Sequence, residues 1–228
     1  MSAGEFYYDQ KVLENHLISL VPFNQDLHVS KLIHEVNTHD LLKYIPFPPF
    51  ESEEEFIKNF WEPVLNAPGE CLYAIIDKAT AKESGESNAF AGTMALTSTS
   101  KENAVTEIGI LIFPAFQRTH VATNAAGLLL QYTLDPPSAG GLGLRRVEWK
   151  CHSENAASRR AALRMGFEFE GIARWHRICP VGVSVEALEK RNGTKGEQRG
   201  RHTAIFSITW DEWDEKRPKI VALMERKY

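Results

Sequence analysis

The stretch Glu107–Leu130, EIGILIFPAFQRTHVATNAAGLLL, constrains the fold more than any other part of the chain. It reads as a strand from Glu107 to Phe113, then a tight polar connection through Pro114 and Gln117–Thr119. An amphipathic helix follows, with Val121, Ala125, Leu129 and Tyr132 recurring near the 3.6-residue period. A strand that feeds through a short loop into a helix start leaves several backbone N–H groups without acceptors, and the helix dipole adds to them. Such a turn is an anion site, and Arg118 stands beside it.

The rest of the chain supplies a sheet around this unit. Leu17–Val21 is a short strand ended by Pro22, and Leu27–Leu42 has helical period with Leu32, Ile33, Val36 and Leu41 as its buried face. Pro46, Pro48 and Pro49, mixed with Phe47 and Phe50, break that helix. Ser52 and Glu55 have capping-box spacing for a helix over Glu51–Asn59. Cys71–Asp77 and Phe90–Ser98 are expected as antiparallel strands joined by a polar, mobile hairpin loop over Lys78–Ala89, with Ala104–Phe113 completing a meander.

Asp135-Pro136-Pro137 stops the central helix, and Ser138–Leu144 reads as a flexible glycine-rich connector. Arg145–Cys151 is the next strand; following a strand and a helix, it is expected to pair in parallel with Ala104–Phe113. Asn155–Met165 is a short helix with Ser153 or Asn155 at its start and Gly166 at its end. Phe167–Ile178 and His202–Trp210 are the last strands, separated by a polar insertion over Val181–Arg201. Asp211 or Asp214 is expected to start the closing segment, with Pro218 at the first turn of a final helix.

Composition removes several function classes. At 228 residues and 43% hydrophobic content the chain builds a core without disulfides or structural metal. A net charge of −4 with no long basic run argues against nucleic acid. No apolar run approaches the ~20 residues of a membrane span, and MSAGEFYYDQ lacks the features of a secretory signal. Cys71, Cys151 and Cys179 form no CxxC and are expected as reduced, buried thiols of a cytoplasmic protein. Neither GxxxxGK[ST], HExxH nor paired Cys/His spacing occurs, so no nucleotide-type phosphate loop and no metal are expected.

Two motifs follow one another on the expected elements: Gln117-Arg118-Thr119-His120-Val121-Ala122, then Asn155-Ala156-Ala157-Ser158 continuing to Met165-Gly166-Phe167 and Glu170-Gly171. In this order they resemble the GNAT superfamily of N-acetyltransferases, and within it the RimJ/RimL-like branch that acetylates amino groups. The resemblance runs from Leu17 to the C-terminal helix and is strongest over Glu107–Gly171. It implies a single GNAT-like domain over residues 1–228 with an α/β (α+β) fold. The sheet it implies is mixed and mostly antiparallel, of about seven strands, with a splayed parallel pair and flanking helices. It further implies acetyl-CoA as co-substrate and an amine acceptor, either a small molecule or a protein N-terminus. The protein is expected as a cytoplasmic monomer or homodimer with no nucleic-acid or membrane partner.

The resemblance also assigns roles to residues. Backbone donors at Arg118, Thr119, His120, Val121 and Ala122 would face the pyrophosphate, in a cofactor-binding turn that begins at Gln117. The family's strand before this turn carries a bulge and splays from its parallel neighbour. The pantetheine arm lies in that gap, against Ile110, Leu111 and Ile112, and Asn155 meets it from the far side unless it is a helix cap only. His120 stands where the family usually has Gly: its side chain either points away from the phosphates or lends them positive charge. Ala162 stands where many members have the Tyr that protonates the departing thiolate, so Ser158 inherits that role unless it only satisfies local backbone. Glu107, beside the splay, is the candidate base, acting through water, with Glu148 on the facing strand in reserve. A backbone N–H near Ile112 would polarise the thioester carbonyl. Cys151 has no recognisable His/Asp partner, so direct transfer is expected, with a non-catalytic acyl-CoA-binding domain as the alternative function. Acceptor recognition falls to Thr38–Trp61 and the insertion, where Tyr44, Phe47, Phe50 and Trp61 either line a groove or fill a core.

Overall fold

Eight segments with strand character lie side by side: β1 (Leu13–Glu14), β2 (Ile18–Pro22), β3 (Cys71–Asp77), β4 (Phe90–Ser100), β5 (Val105–Ile112), β6 (Arg146–His152), β7 (Glu168–Ile178) and β8 (Gly200–Thr209). They belong to a computed structural model that describes residues 6–47, 49–65, 67–85, 89–179 and 199–226. The sheet order is β1-β2-β3-β4-β5-β6-β8-β7, antiparallel throughout except for the parallel pair β5–β6. This is the expected mixed, mostly antiparallel sheet with flanking helices. The strand beyond the expected seven is β1, whose two residues are too few to carry a period.

Alternation along the strands sorts their side chains onto two faces. Tyr73, Ile75, Met94, Leu96, Ile108, Val147 and Trp149 lie in one core with residues of α4 (His120–Leu134) and α6 (Trp210–Met224). Ala74, Phe90 and Leu111 lie in a second core with Val29, Leu32 and Val36 of α1 (Gln25–Thr38) and Phe56 of α2 (Glu53–Phe56). A π-helical segment, Ile57–Leu65, continues α2. The aromatic residues around it pack on one another: Phe50 and Phe56 have centroids 5.1 Å apart, Phe47 and Phe60 4.9 Å, and Phe23 and Trp61 5.4 Å. Phe50 lies in the second core, Trp61 packs against it, and Phe47 reaches it through Phe60.

Three local expectations are corrected. Lys78–Ser84, expected within a mobile loop, is helix α3. The Asp77 carboxylate accepts from Thr80 N (2.9 Å) and Thr80 Oγ1 (2.7 Å), and Gly85, with φ +85°, ends the helix. Ser138–Leu144 is tied down: Leu142, Gly143 and Leu144 donate to the Tyr132, Asp135 and Thr133 carbonyls at 2.8–2.9 Å. Pro218 lies inside α6 rather than in its first turn. The helix starts earlier because Glu212 Oε2 accepts from the Thr209 N–H (3.1 Å). Asp135 grips the first half of the helix, accepting from Trp213 Nε1 (2.7 Å) and from Arg217 Nε and Nη2 (2.8 and 2.9 Å). The expected insertion lies outside the described residues except for its end, where Gly200 and Arg201 begin β8. Among the described residues no helix is long and apolar enough to cross a membrane.

Gly92 sets how closely β4 approaches β5. Its φ is +143°, and a Cβ there would lie 2.2 Å from the Leu111 carbonyl oxygen and 2.9 Å from Ile112 Cα. Gly92→Ala is expected to cost about 2–4 kcal/mol of stability by forcing the strands apart. Urea denaturation checks this, and an unchanged midpoint would show that the two strands yield freely.

Candidate active site

The parallel pairing of β5 and β6 covers three residue pairs, Val105↔Arg146, Thr106↔Val147 and Glu107↔Glu148. Beyond Glu107 the strands part. β5 stays on β4 as far as Gly92↔Ile112, while β6 stays on β8 as far as His152↔Thr203. Phe113 N donates to the Ala91 carbonyl (2.9 Å). Ladder alternation therefore turns the polar groups of Leu111 toward β4 and those of Ile110 and Ile112 toward the widening gap. Backbone groups in such a place need another partner. The Ile112 carbonyl finds one in Gln117 Nε2 (3.0 Å). The expected bulge is not in this segment: the register with β4 is unbroken from Glu107 to Ile112, and the irregularity sits between Thr97 and Ser100. The splay arises where the parallel run ends, not from an extra residue in β5.

At the end of β5 a single 3-10 turn, Pro114–Phe116, leads into the strand–helix connection. Arg118 is exposed and left-handed, with φ +61°. Thr119 caps α4: its hydroxyl donates to the Phe116 carbonyl (2.7 Å) and accepts from Val121 N (3.3 Å). The N–H groups of His120 and Ala122, in the same first turn, have no preceding helical carbonyl to meet. The conformational demand of the turn thus falls on Arg118 and not on His120, which is already helical. His120 Nε2 lies 2.8 Å from Asp77 Oδ1, and Asp77 is buried. The imidazole at the position usually held by Gly is turned to the start of α3 and fastened there.

On the α1 side of the sheet a chain of charges drawn from β5, β6 and β7 reaches over the intervening β8. Glu107 Oε2 lies 3.1 Å from Lys150 Nζ, which lies 2.5 Å from Glu148 Oε2. Glu148 Oε1 is 2.9 Å from Arg146 Nη2, and Arg146 makes two 2.6 Å bonds to the Glu170 carboxylate. Burial raises the Glu107 carboxyl above the ordinary range, and the nearby Glu148 charge adds to it, against the pull of Lys150. Glu148 is also pushed up by burial, but Lys150 and Arg146 outweigh this and hold it low. Glu170, gripped by Arg146, falls to about 2. Of the two base candidates, Glu107 has the greater proton affinity. Sequence reading named Glu107 and Glu148 but missed Lys150 and Arg146, which connect them. The available signal was Arg146, Glu148 and Lys150 at alternate positions of a strand whose intervening Val147, Trp149 and Cys151 are buried.

Asn155 caps α5 (Ala156–Arg164), its Oδ1 accepting from Ser158 N (3.0 Å). Ser158 Oγ accepts from Trp149 Nε1 (2.9 Å), a partner the sequence did not announce. Trp149 faces the α4 side, so Ser158 and Glu107 lie on opposite faces of the sheet, on either side of β6. Ser158 also bonds to Cys151, whose thiol is raised by burial, with Ser158 opposing that shift. Ala162 is fully buried in the core. Among the described residues no cluster of three His, Cys, Asp or Glu side chains could hold a metal ion.

The model of the acetyltransferase (GNAT) domain family matches residues 18–168. The chain belongs to the GNAT acetyltransferase family. It is similar over 97% of its length to a GCN5-related N-acetyltransferase from Brucella melitensis, at 32% identity, covering 89% of that chain with a TM-score of 0.74. A probable GNAT-family acetyltransferase from Chromobacterium violaceum shares 29% identity, with 94% of this chain and 92% of that chain covered and a TM-score of 0.69. Mycobacterium smegmatis RimJ, solved in complex with CoA-disulfide, shares 16% identity over 93% of this chain and 94% of that chain, with a TM-score of 0.68. At that distance it shows the shared fold and not the RimJ/RimL branch. A search of curated proteins finds no match.

Fastening His120 to Asp77 has a measurable consequence for this GNAT protein. In His120→Ala, Asp77 keeps its two bonds from Thr80 but loses the imidazole, which is expected to cost about 1–2 kcal/mol. Thermal denaturation reads that loss. Acetyl-CoA affinity, read by calorimetry, is expected to stay within about threefold; a loss of tenfold would place the imidazole on the anion instead.

Proposed function

We propose that this GNAT protein transfers an acetyl group from acetyl-CoA directly to a primary amine, in the manner of the RimJ/RimL-like branch. The acceptor is a protein N-terminus or a small molecule. One observation carries the reading: the β5–β6 splay has strand groups of Ile110 and Ile112 turned into it, with a capped helix start at its outer end and Glu107 at its apex. The groups fit the co-substrate. Amides of a pantetheine arm match the strand groups, and the N–H donors that the Thr119 cap leaves unspent, His120 and Ala122 among them, match a pyrophosphate at about 1.5–3 kcal/mol for each charge-assisted bond. Arg118 adds a charge that is exposed and screened, so the backbone donors outweigh it. The CoA-disulfide held by M. smegmatis RimJ supports the same class of ligand.

The acceptor must attack as a neutral amine. An α-amino group, with a pKa of about 7.7–8.0, is nearly ready at neutral pH, whereas a lysine at about 10.4 needs more help. Glu107 takes the proton, through water where the amine stands off, as the C–N bond forms. The Ile112 N–H, turned into the splay, polarises the thioester carbonyl. As the C–S bond breaks, the sulfur needs a proton. Ser158 supplies one by turning its O–H from Cys151 to that sulfur, while its oxygen keeps the bond from Trp149. Cys151, buried and bonded to Ser158, is no nucleophile, which favours direct transfer over an acyl-enzyme. The alternative, a non-catalytic acyl-CoA-binding domain, draws on the buried Ala162 and on the bonds that commit Asn155 and Ser158 to local partners.

Substitution separates the two readings. In an enzyme, Glu107→Gln is expected to spare acetyl-CoA affinity and to cut turnover by about 10²–10⁴. Ser158→Ala is expected to act in the same direction. Calorimetry with acetyl-CoA and thiol release across a panel of amines measure both. Unchanged turnover in both variants on an active amine removes the catalytic assignments. Tight acetyl-CoA binding with no active amine favours the binding domain. A stable acetylated protein, seen by intact mass after mixing with acetyl-CoA alone, would rule out direct transfer.

A further inference from the structure

Lys150 is a half-buried cation shared by two carboxylates of unequal need. Its Nζ lies 2.5 Å from Glu148 Oε2 and 3.1 Å from Glu107 Oε2, and all three side chains are less than one-fifth exposed. Glu148 has a second cation, Arg146, at 2.9 Å, and Arg146 is itself neutralised by Glu170. Other charges face Glu107 from several elements. Glu70 precedes β3 and adds negative charge, Arg177 comes from β7, and Arg201 from β8. Arg201 is occupied elsewhere, donating to Thr203 Oγ1 and the Tyr44 carbonyl at 3.2 Å each. Among the described residues, Lys150 is the cation in ion-pair contact with Glu107.

We infer that Lys150 is a positioning residue that sets the pH at which Glu107 becomes a base, by dividing one ammonium between Glu107 and Glu148. The inference rests on Glu107 being the base of the proposed reaction. Full commitment of the ammonium to Glu107 would make that carboxylate too weak a base, and its loss would leave the carboxyl protonated. Glu148 holds Lys150 at the shorter distance and so keeps the ammonium near Glu107 without surrendering it. The arrangement acts on the acceptor as well. A substrate ammonium brought to Glu107 meets the like charge of Lys150, which favours the neutral amine that the reaction needs.

The pH dependence of kcat/KM tests this, with acetyl-CoA and an active amine, in the whole chain. Activity falls as pH drops through the Glu107 titration, so the acid limb reports that carboxyl. Lys150→Met is expected to move the limb up by about one pH unit, and Lys150→Arg to restore it toward the native position. Glu148→Gln removes a like charge and leaves Glu107 as the carboxylate partner of Lys150, so it is expected to move the limb down. These opposite shifts separate the assignment from simple loss of structure, which lowers activity at every pH. Should Lys150→Met fail to fold, Glu148→Gln reads the same ammonium. Limbs that stay fixed in the Lys150 and Glu148 variants, yet vanish in Glu107→Gln, overturn the role of Lys150 and leave the base in place. A limb that survives in Glu107→Gln belongs to the amine and overturns the base assignment itself.

Discussion

Three parallel residue pairs hold the two halves of the sheet together. On one side of this seam β1–β5 form an antiparallel block, and on the other β6–β8 form a second. Each block is continuous through its own antiparallel ladder, and nothing in that ladder requires the seam to extend further. The helix α4 lies behind, packed on β1 through β6, so it spans both blocks and fixes the angle between them. Asp135 at the end of α4 fastens α6, and a Cβ on Gly127 of α4 would meet Met224 Sδ at 2.3 Å, so these two helices are in close contact. The wedge between β5 and β6 is therefore built into the packing of both cores.

That wedge explains why charge can sit in the middle of a sheet. A central strand covered on both faces ordinarily carries apolar side chains, yet β6 alternates Arg146, Glu148 and Lys150 with buried residues. Each charge has a neighbour of opposite sign, and the chain Glu107–Lys150–Glu148–Arg146–Glu170 runs from the apex of the wedge outward to β7. A buried group removed from such a chain strands its partner, which costs several times what the pair contributes. The carboxylate at the inner end has the weakest claim on a cation, and it is the one beside the opening.

The local features of this architecture were legible in the sequence, and the long-range ones were not. The strand–turn–helix of Glu107–Leu130 showed itself through periodicity and turn chemistry confined to neighbouring residues. Parallel pairing of β5 and β6 followed from the helix between them. By contrast, α3 depends on one capping carboxylate over a polar segment with no apolar period. The bonds that fasten α6 come from Asp135, which lies 78 residues before Trp213 and 82 before Arg217. At the site, Glu107 was named as a candidate base through the splay that the family resemblance implies. The Lys150 bridge and the Trp149–Ser158 bond are matters of register and face across separate elements, and no spacing within one segment encodes them.

The open seam also bears on how the protein survives as a folded chain. Strand groups turned into a gap are unmet binding capacity that exists only when both blocks are folded and correctly angled. A molecule that lies between β5 and β6 and bonds to both acts as a removable ninth strand, stapling the blocks together. Because it binds the folded form and not the unfolded chain, each tenfold excess over its Kd adds about 1.4 kcal/mol to the folding equilibrium. If the co-substrate is that molecule, the lifetime of this protein in a cell is set partly by the same acetyl-CoA supply that sets its rate.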